Sequence, residues 1–252
     1  MKKIVAAAQS RRLKPVRIAC INRAKTPLGA PLSALTAALQ KCYDDHFLPV
    51  WGYPVKLYNT SKPKRSDWLF IYFDDPDAPE VEGYHDLTYR GQPISKVFVK
   101  PSLADNTPVS VTASHELFEM VIDPIANLWA EATVRTQYAY EMCDPVEEDT
   151  FMVDGLEMSN FLHPSWFEPF KHPRGTKFDH LGRLKKPFTM TKGGYVIKKE
   201  NGRVKEEFGS PAKAARFAKE DRWDHRSEFR KPRGKALIVR EPAKRRKAKG
   251  SK

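Results

Sequence analysis

Ser114-His115-Glu116-Leu117-Phe118-Glu119-Met120-Val121-Ile122-Asp123-Pro124 decides how the chain is read, because its spacing is that of an apolar helix carrying one stripe of titratable groups. At about 100° per residue, a helix over Pro108 to Asp123 gathers Thr112, His115, Glu116, Glu119 and Asp123 into one sector. Val109, Val111, Ala113, Leu117, Phe118, Met120, Val121 and Ile122 cover the rest of its circumference. A helix that is apolar nearly all round is a buried one. Burying Glu116, Glu119, Asp123 and an imidazole without partners is costly, so such groups neutralise, pair or coordinate a metal. Local signals set the limits of the helix: Asn106 or Thr107 as N-cap, Pro108 at the first helical position, and Pro124 forcing the residue before it out of helical geometry.

Residues i and i+4 of such a helix lie one turn apart on the same face, so His115 and Glu119 can share an ion while Glu116 points beside it. With His115-Glu116-x-x-Glu119 standing where zincin metallopeptidases carry H-E-x-x-H, the chain resembles that superfamily. The resemblance implies His115 as first metal ligand, Glu119 as second ligand in place of the usual histidine, and Glu116 as the catalytic base for a metal-held water. The metzincin extension would place Gly at 122 and His at 125, where Ile122 and Ile125 stand, so the third ligand must come from elsewhere. Tyr138-Ala139-Tyr140-Glu141-Met142-Cys143-Asp144-Pro145-Val146-Glu147 offers it, with Asp144 preferred, Glu141 the alternate third ligand and Asp123 after them. Taken with Ser159-Asn160-Phe161-Leu162-His163-Pro164-Ser165-Trp166-Phe167, these motifs are also similar to zincin-like proteins of bacteriophages and bacterial genomes.

Three protein ligands and one open position describe a catalytic site rather than a closed structural one. The implied reaction is hydrolysis of an amide bond in a peptide or protein substrate, with Glu116 passing a proton from water to the leaving amine. Tyr138, Tyr140 and His163 are the candidates for an oxyanion-stabilising donor. Zinc is the cofactor the resemblance implies. One histidine with two carboxylates also suits Mn2+ or Fe2+ better than a two-histidine set would. Two alternatives stay open. His115, Glu116 and Glu119 can line a solvated groove or bridge to arginines such as Arg90 and Arg135. The protein can equally be a non-enzymatic phage-related or nucleic-acid-associated assembly protein on a degenerate zincin-like scaffold.

The hydrophobic periodicity reads as an α+β fold. Strands are expected at Val16 to Asn22, Val55 to Tyr58, Trp68 to Asp74 and Ser95 to Lys100, with a helix from Pro31 to Phe47. The motif helix follows, then strands around Leu128 to Ala132, Tyr138 to Met142 and Met152 to Asn160. The zincin resemblance implies a mixed β-sheet with a helix packed across it, feeding an edge strand into a zincin-like active-site helix. By that analogy Ile94 to Lys100 is the candidate substrate edge, unless it forms a hairpin with Asp86 to Arg90. Phe161 to Phe170 reads as an aromatic cluster that closes the core, and Cys20, Cys42 and Cys143 as buried free thiols.

Charge divides the chain: residues 1–170 hold 17 Lys+Arg against 22 Asp+Glu, whereas residues 171–252 hold 27 against 9. The expected organisation is a basic arm at 1–15, a core at 16–170, a linker at 171–192, a hairpin-helix unit at 193–220 and a basic, disordered tail at 221–252. Asn201-Gly202 is a strong turn signal inside that unit, which makes it a small basic β-hairpin and helix extension. In the tail, Lys244, Arg245, Arg246, Lys247 and Lys249 can neutralise phosphates and release counterions, which points to DNA or RNA; an acidic protein is the other partner such a tail fits. The opening Met1-Lys2-Lys3-Ile4-Val5-Ala6-Ala7-Ala8 has too short an apolar run for a signal peptide. No stretch is apolar enough for a membrane span. The chain therefore reads as cytoplasmic, or virion-associated if phage-encoded.

Overall fold

The computed structural model describes residues 13–77 and 81–217. The arm up to residue 12 and the tail with Lys244, Arg245, Arg246, Lys247 and Lys249 lie outside the described residues. The class is α+β with a mixed sheet.

The chain starts on β1 (Val16–Asn22), crosses over through α1 (Leu32–Cys42), one wide helical turn at Tyr43–Phe47 and the short α2 (Leu48–Trp51), and returns on β2 (Val55–Asn59). Then come β3 (Trp68–Phe73), β4 (Gly83–Leu87) and β5 (Pro93–Phe98). These five strands form one sheet in the order β2-β1-β3-β5-β4. All neighbours are parallel except β4, which runs antiparallel to β5 at the edge. Parallel strands read as continuous apolar runs because crossovers cover them, and Ile18-Ala19-Cys20-Ile21 in β1 is buried throughout.

The stretch Ile94 to Lys100 is not an edge: β5 lies between β3 and β4, so the hairpin alternative holds, with Gly83–Leu87 rather than Asp86 to Arg90 as the partner. Val99 and Lys100 leave the strand and begin α3 (Val99–Ala104), whose first turn tolerates Pro101 because its N–H groups have no helical partner.

The motif helix forms as α4 (Val109–Ile122) and ends before Pro124. Its start differs from expectation. Pro108 itself occupies the capping position with φ −57° and ψ 136° and no side-chain cap, while Asn106 sits in the left-handed region at φ 59°. The helix lies between the sheet and a hairpin made of β8 (Thr150–Val153) and β9 (Leu156–Ser159), which follows β6 (Trp129–Thr133) and β7 (Thr136–Ala139). The single strand expected at Met152 to Asn160 is thus two strands, reversed at Asp154-Gly155 where both residues take positive φ. That is the D-G turn geometry of two-residue hairpins. Ser114 Oγ accepts the Ser159 N–H at 2.8 Å and ties the helix to β9.

Aromatic packing holds α4 on its apolar side. Phe118 stacks on Phe47 at 4.4 Å between centroids and meets Phe161 edge-on at 5.2 Å. Burying one such ring contributes about 1.5–3 kcal/mol. Segment 171–192 is laid across this core: Trp166 Nε1 donates to Thr189 O at 2.8 Å, and Thr191 N to Pro145 O at 2.9 Å. The chain then forms β10 (Tyr195–Glu200), β11 (Arg203–Phe208) and α5 (Pro211–Phe217), with Asn201-Gly202 at the turn. β10 pairs with β7, giving a second sheet in the order β11-β10-β7-β6. Lys213 on α5 reaches Glu147, so the hairpin-helix extension is anchored beside the 3-10 turn Asp144–Val146. Among the described residues no helix is long and apolar enough to cross a membrane.

Candidate metal centre

Helix α4 and the turn at Asp144–Val146 converge on one imidazole. His115 Nε2 lies 3.3 Å from Glu119 Oε1 and 3.1 Å from Asp144 Oδ1. Donor atoms about 2.0–2.1 Å from a tetrahedral zinc are about 3.3 Å apart, so these two separations are compatible with a shared ion as well as with hydrogen bonds from the imidazole. Ligand atoms of His115, Glu116 and Glu119 also lie within 4.8 Å of one another. Glu119 Oε1 accepts the Cys143 N–H at 3.1 Å, which fixes the segment carrying Asp144 against the helix. The remaining valence of the set is in Glu116, a buried residue whose Oε2 has no hydrogen-bond partner.

A residue that periodicity did not single out completes the cluster. His85 on β4 lies with Nδ1 3.8 Å from Glu116 Oε2 and 3.8 Å from Glu119 Oε2. Its ligand atom groups with those of Glu119 and Glu141 inside 4.8 Å. Strand alternation explains its aim: Gly83 and His85 are opposite Val97 and Ser95, on the face that packs on α4, while Tyr84 and Asp86 point the other way. A period-two reading of Gly83-Tyr84-His85-Asp86-Leu87 gives that alternation, but only the sheet order puts β4 next to the helix. Glycine is required at 83 by close approach, since a Cβ there would sit 2.8 Å from Glu116 Cγ and 2.9 Å from Lys96 O.

Two cavities meet at His115 and Glu116. The smaller, about 80 Å³, is lined by His85, His115, Glu116, Glu119, Glu141 and Asp144 among others. The larger, about 370 Å³, runs past the carboxylates of Glu82, Asp105, Glu147, Glu148 and Glu157 and one ammonium, that of Lys213. Tyr195 lines both.

Burial pushes the Glu116 and Glu119 carboxyls up, most strongly at Glu116. Burial alone would lower the His115 imidazole, but Glu119, then Asp144, outweigh it and hold it well above its usual range. Glu82 is raised to about 7 by burial and by Glu147; its oxygens accept the Thr107 and Thr112 hydroxyls, each at 3.3 Å.

The other sequence candidates lie elsewhere. Asp123 Oδ2 accepts the Leu128 N–H at 2.8 Å and caps the loop after α4. Arg90 lies over the Tyr89 ring and Arg135 is exposed beyond β6, and neither lines the two cavities. Tyr138 stacks on Phe188, Tyr140 on Phe167, and His163 packs beside Phe161, all outside both cavities. The three cysteines are free and buried; burial drives the Cys143 thiol far up, and its Sγ points to His115 O rather than into the cluster. Comparison with protein-family models, with curated proteins and with solved structures gives no match.

Proposed function

We propose that the protein is a metal-dependent peptidase of zincin-like chemistry, with His115, Glu119 and Asp144 as the ligands, Glu141 beside them, and Glu116 as general base. One observation supports the reading: His115 Nε2 stands 3.3 Å and 3.1 Å from the carboxylate oxygens of Glu119 and Asp144, beside a buried Glu116 oxygen that has no hydrogen-bond partner. The donor set fits zinc, and its oxygen content fits Mn2+ or Fe2+ as well. A bound divalent cation would supply Lewis-acid polarisation of the scissile carbonyl.

The chain's own residues do the rest. Glu116, held between α4 and the bare backbone of Gly83, is placed to take a proton from the attacking water and to deliver it to the departing amine nitrogen. The Cys143 N–H holds Glu119 by one oxygen and keeps it from rotating away from His115. The larger cavity receives the substrate, and its acid-rich wall favours peptides with cationic side chains near the scissile bond. Tyr195, which lines both cavities, is the phenol best positioned to orient a substrate there. The basic tail localises this core on nucleic acid through Lys244, Arg245, Arg246, Lys247 and Lys249. Retention on DNA or RNA should fall steeply with salt and vanish on truncation after Phe217, which leaves the hairpin docked on β7 in place.

The test is elemental analysis of purified full-length protein together with cleavage of an unstructured, lysine- and arginine-containing protein. Glu116→Gln should keep the metal and lose about 10²-fold or more in rate; Glu119→Ala should lose both. Metal without cleavage in the unaltered protein would favour the non-enzymatic scaffold, and absence of metal would remove the reading.

A further inference from the structure

The cluster holds more ligand capacity than one ion uses. Glu119 presents its two oxygens to two different imidazoles: Oε1 lies 3.3 Å from His115 Nε2, and Oε2 lies 3.8 Å from His85 Nδ1. Each imidazole has its own further carboxylate, Asp144 Oδ1 at 3.1 Å from His115, and Glu141 in the group with His85. A carboxylate with one oxygen toward each of two donor sets is the bridging arrangement of two-ion sites, in which the ions sit about 3.5–4 Å apart.

Charge points the same way. Glu116, Glu119, Glu141 and Asp144 are all buried around the smaller cavity, which Glu206 also lines, and no Lys or Arg is among its described lining residues. The unpartnered Oε2 of Glu116 lies on the His85 side, 3.8 Å from Nδ1, and so faces the second position.

We infer that the protein binds two divalent cations, one at His115, Glu119 and Asp144 and the other at His85, Glu119 and Glu141, bridged by Glu119. The inference rests on the metal-dependent reading of the same site and extends it. The second set, one imidazole with two carboxylates, selects oxygen-preferring ions such as Mn2+. A cation there would supply a second positive charge for a substrate carbonyl and the attacking oxygen, and Glu116 faces both ligand groups.

Mn2+ is the probe, added to metal-stripped full-length protein and followed by equilibrium dialysis and electron paramagnetic resonance. Two Mn2+ per chain with the multiline spectrum of a spin-coupled pair are expected. His85→Asn and Glu141→Gln should each reduce the stoichiometry to one and leave an isolated six-line signal, with an unchanged circular dichroism spectrum. The stoichiometry and coupling in the unaltered protein need no variant to fold. One Mn2+ per chain with an uncoupled signal would overturn the two-ion inference and leave the single-ion peptidase intact. No bound Mn2+ would overturn the two-ion inference, and no bound metal of any kind in the purified protein would overturn both.

Discussion

His115 on the one hand and His163 and His180 on the other are all partly buried, which lowers each imidazole, yet their net shifts are opposite. His115 is surrounded by Glu119 and Asp144, whose charges outweigh its burial and hold its imidazole well above the usual range. His163 and His180 are stacked among Phe161, Phe151 and His46, with His180 lying 4.8 Å from Phe161 at 13°. Burial drives both down to about 4. The first group is an electrostatic device and the second is aromatic packing that contains nitrogen. Burial by itself therefore says nothing about function in this protein; the carboxylates beside the ring do.

Exchanging each imidazole for a ring without nitrogen puts the largest strain on that comparison. His115→Phe should abolish binding of the ion that His115 holds and so lower the metal content, whereas His180→Phe should retain full metal content and fold, read by elemental analysis and thermal melts. Equal loss of metal in both would erase the distinction. Phe118→Ala separates packing from coordination: it removes the ring between Phe47 and Phe161 and should cost about 3–5 kcal/mol, with metal content per folded molecule unchanged.

A smaller effect lies in the acid limb of stability. His163 and His180 have folded values near 4 against about 6.5 in an unfolded chain, so the unfolded state takes up protons first. Stability from their neutral packing is complete above about 6.5 and is lost as pH falls towards 4. Denaturant midpoints measured from pH 7 to 4 should fall, and His180→Phe should flatten the slope. The smallest effect has the opposite sign. Glu82, raised to about 7, is compatible with folding below about 4.5 and becomes a liability as pH rises through 7. Glu82→Gln should therefore raise the melting temperature at pH 8 and do little at pH 5.

How much of this was legible beforehand depends on the range of the interactions involved. Helix α4 and the hairpin around Asn201-Gly202 follow from local signals, a stop at Pro124 and a turn dipeptide, and both form where those signals put them. Asp154-Gly155 is the same kind of signal, yet apolar residues on both sides of it made one strand of Met152 to Asn160. The spacing of His115, Glu119 and Asp144 was readable as a pattern, and the structure brings all three together. His85 was not readable. Its inward aim depends on β4 taking the sheet edge beside α4, which pairing across the chain decides. The docking of β10 on β7, which turns a basic extension into a wall of the smaller cavity, is equally non-local.

Gly83 gives this site a steric valve that contains no functional group. Because Glu116 rests directly on strand backbone there, its carboxylate keeps its position only while residue 83 has no side chain. A methyl at this position would meet the Glu116 side chain, its Oε1 included, and the Lys96 carbonyl of β5, so side chain and strand would both have to shift. The spacing of helix and edge strand at this centre is thus set by a residue that carries no reactive group.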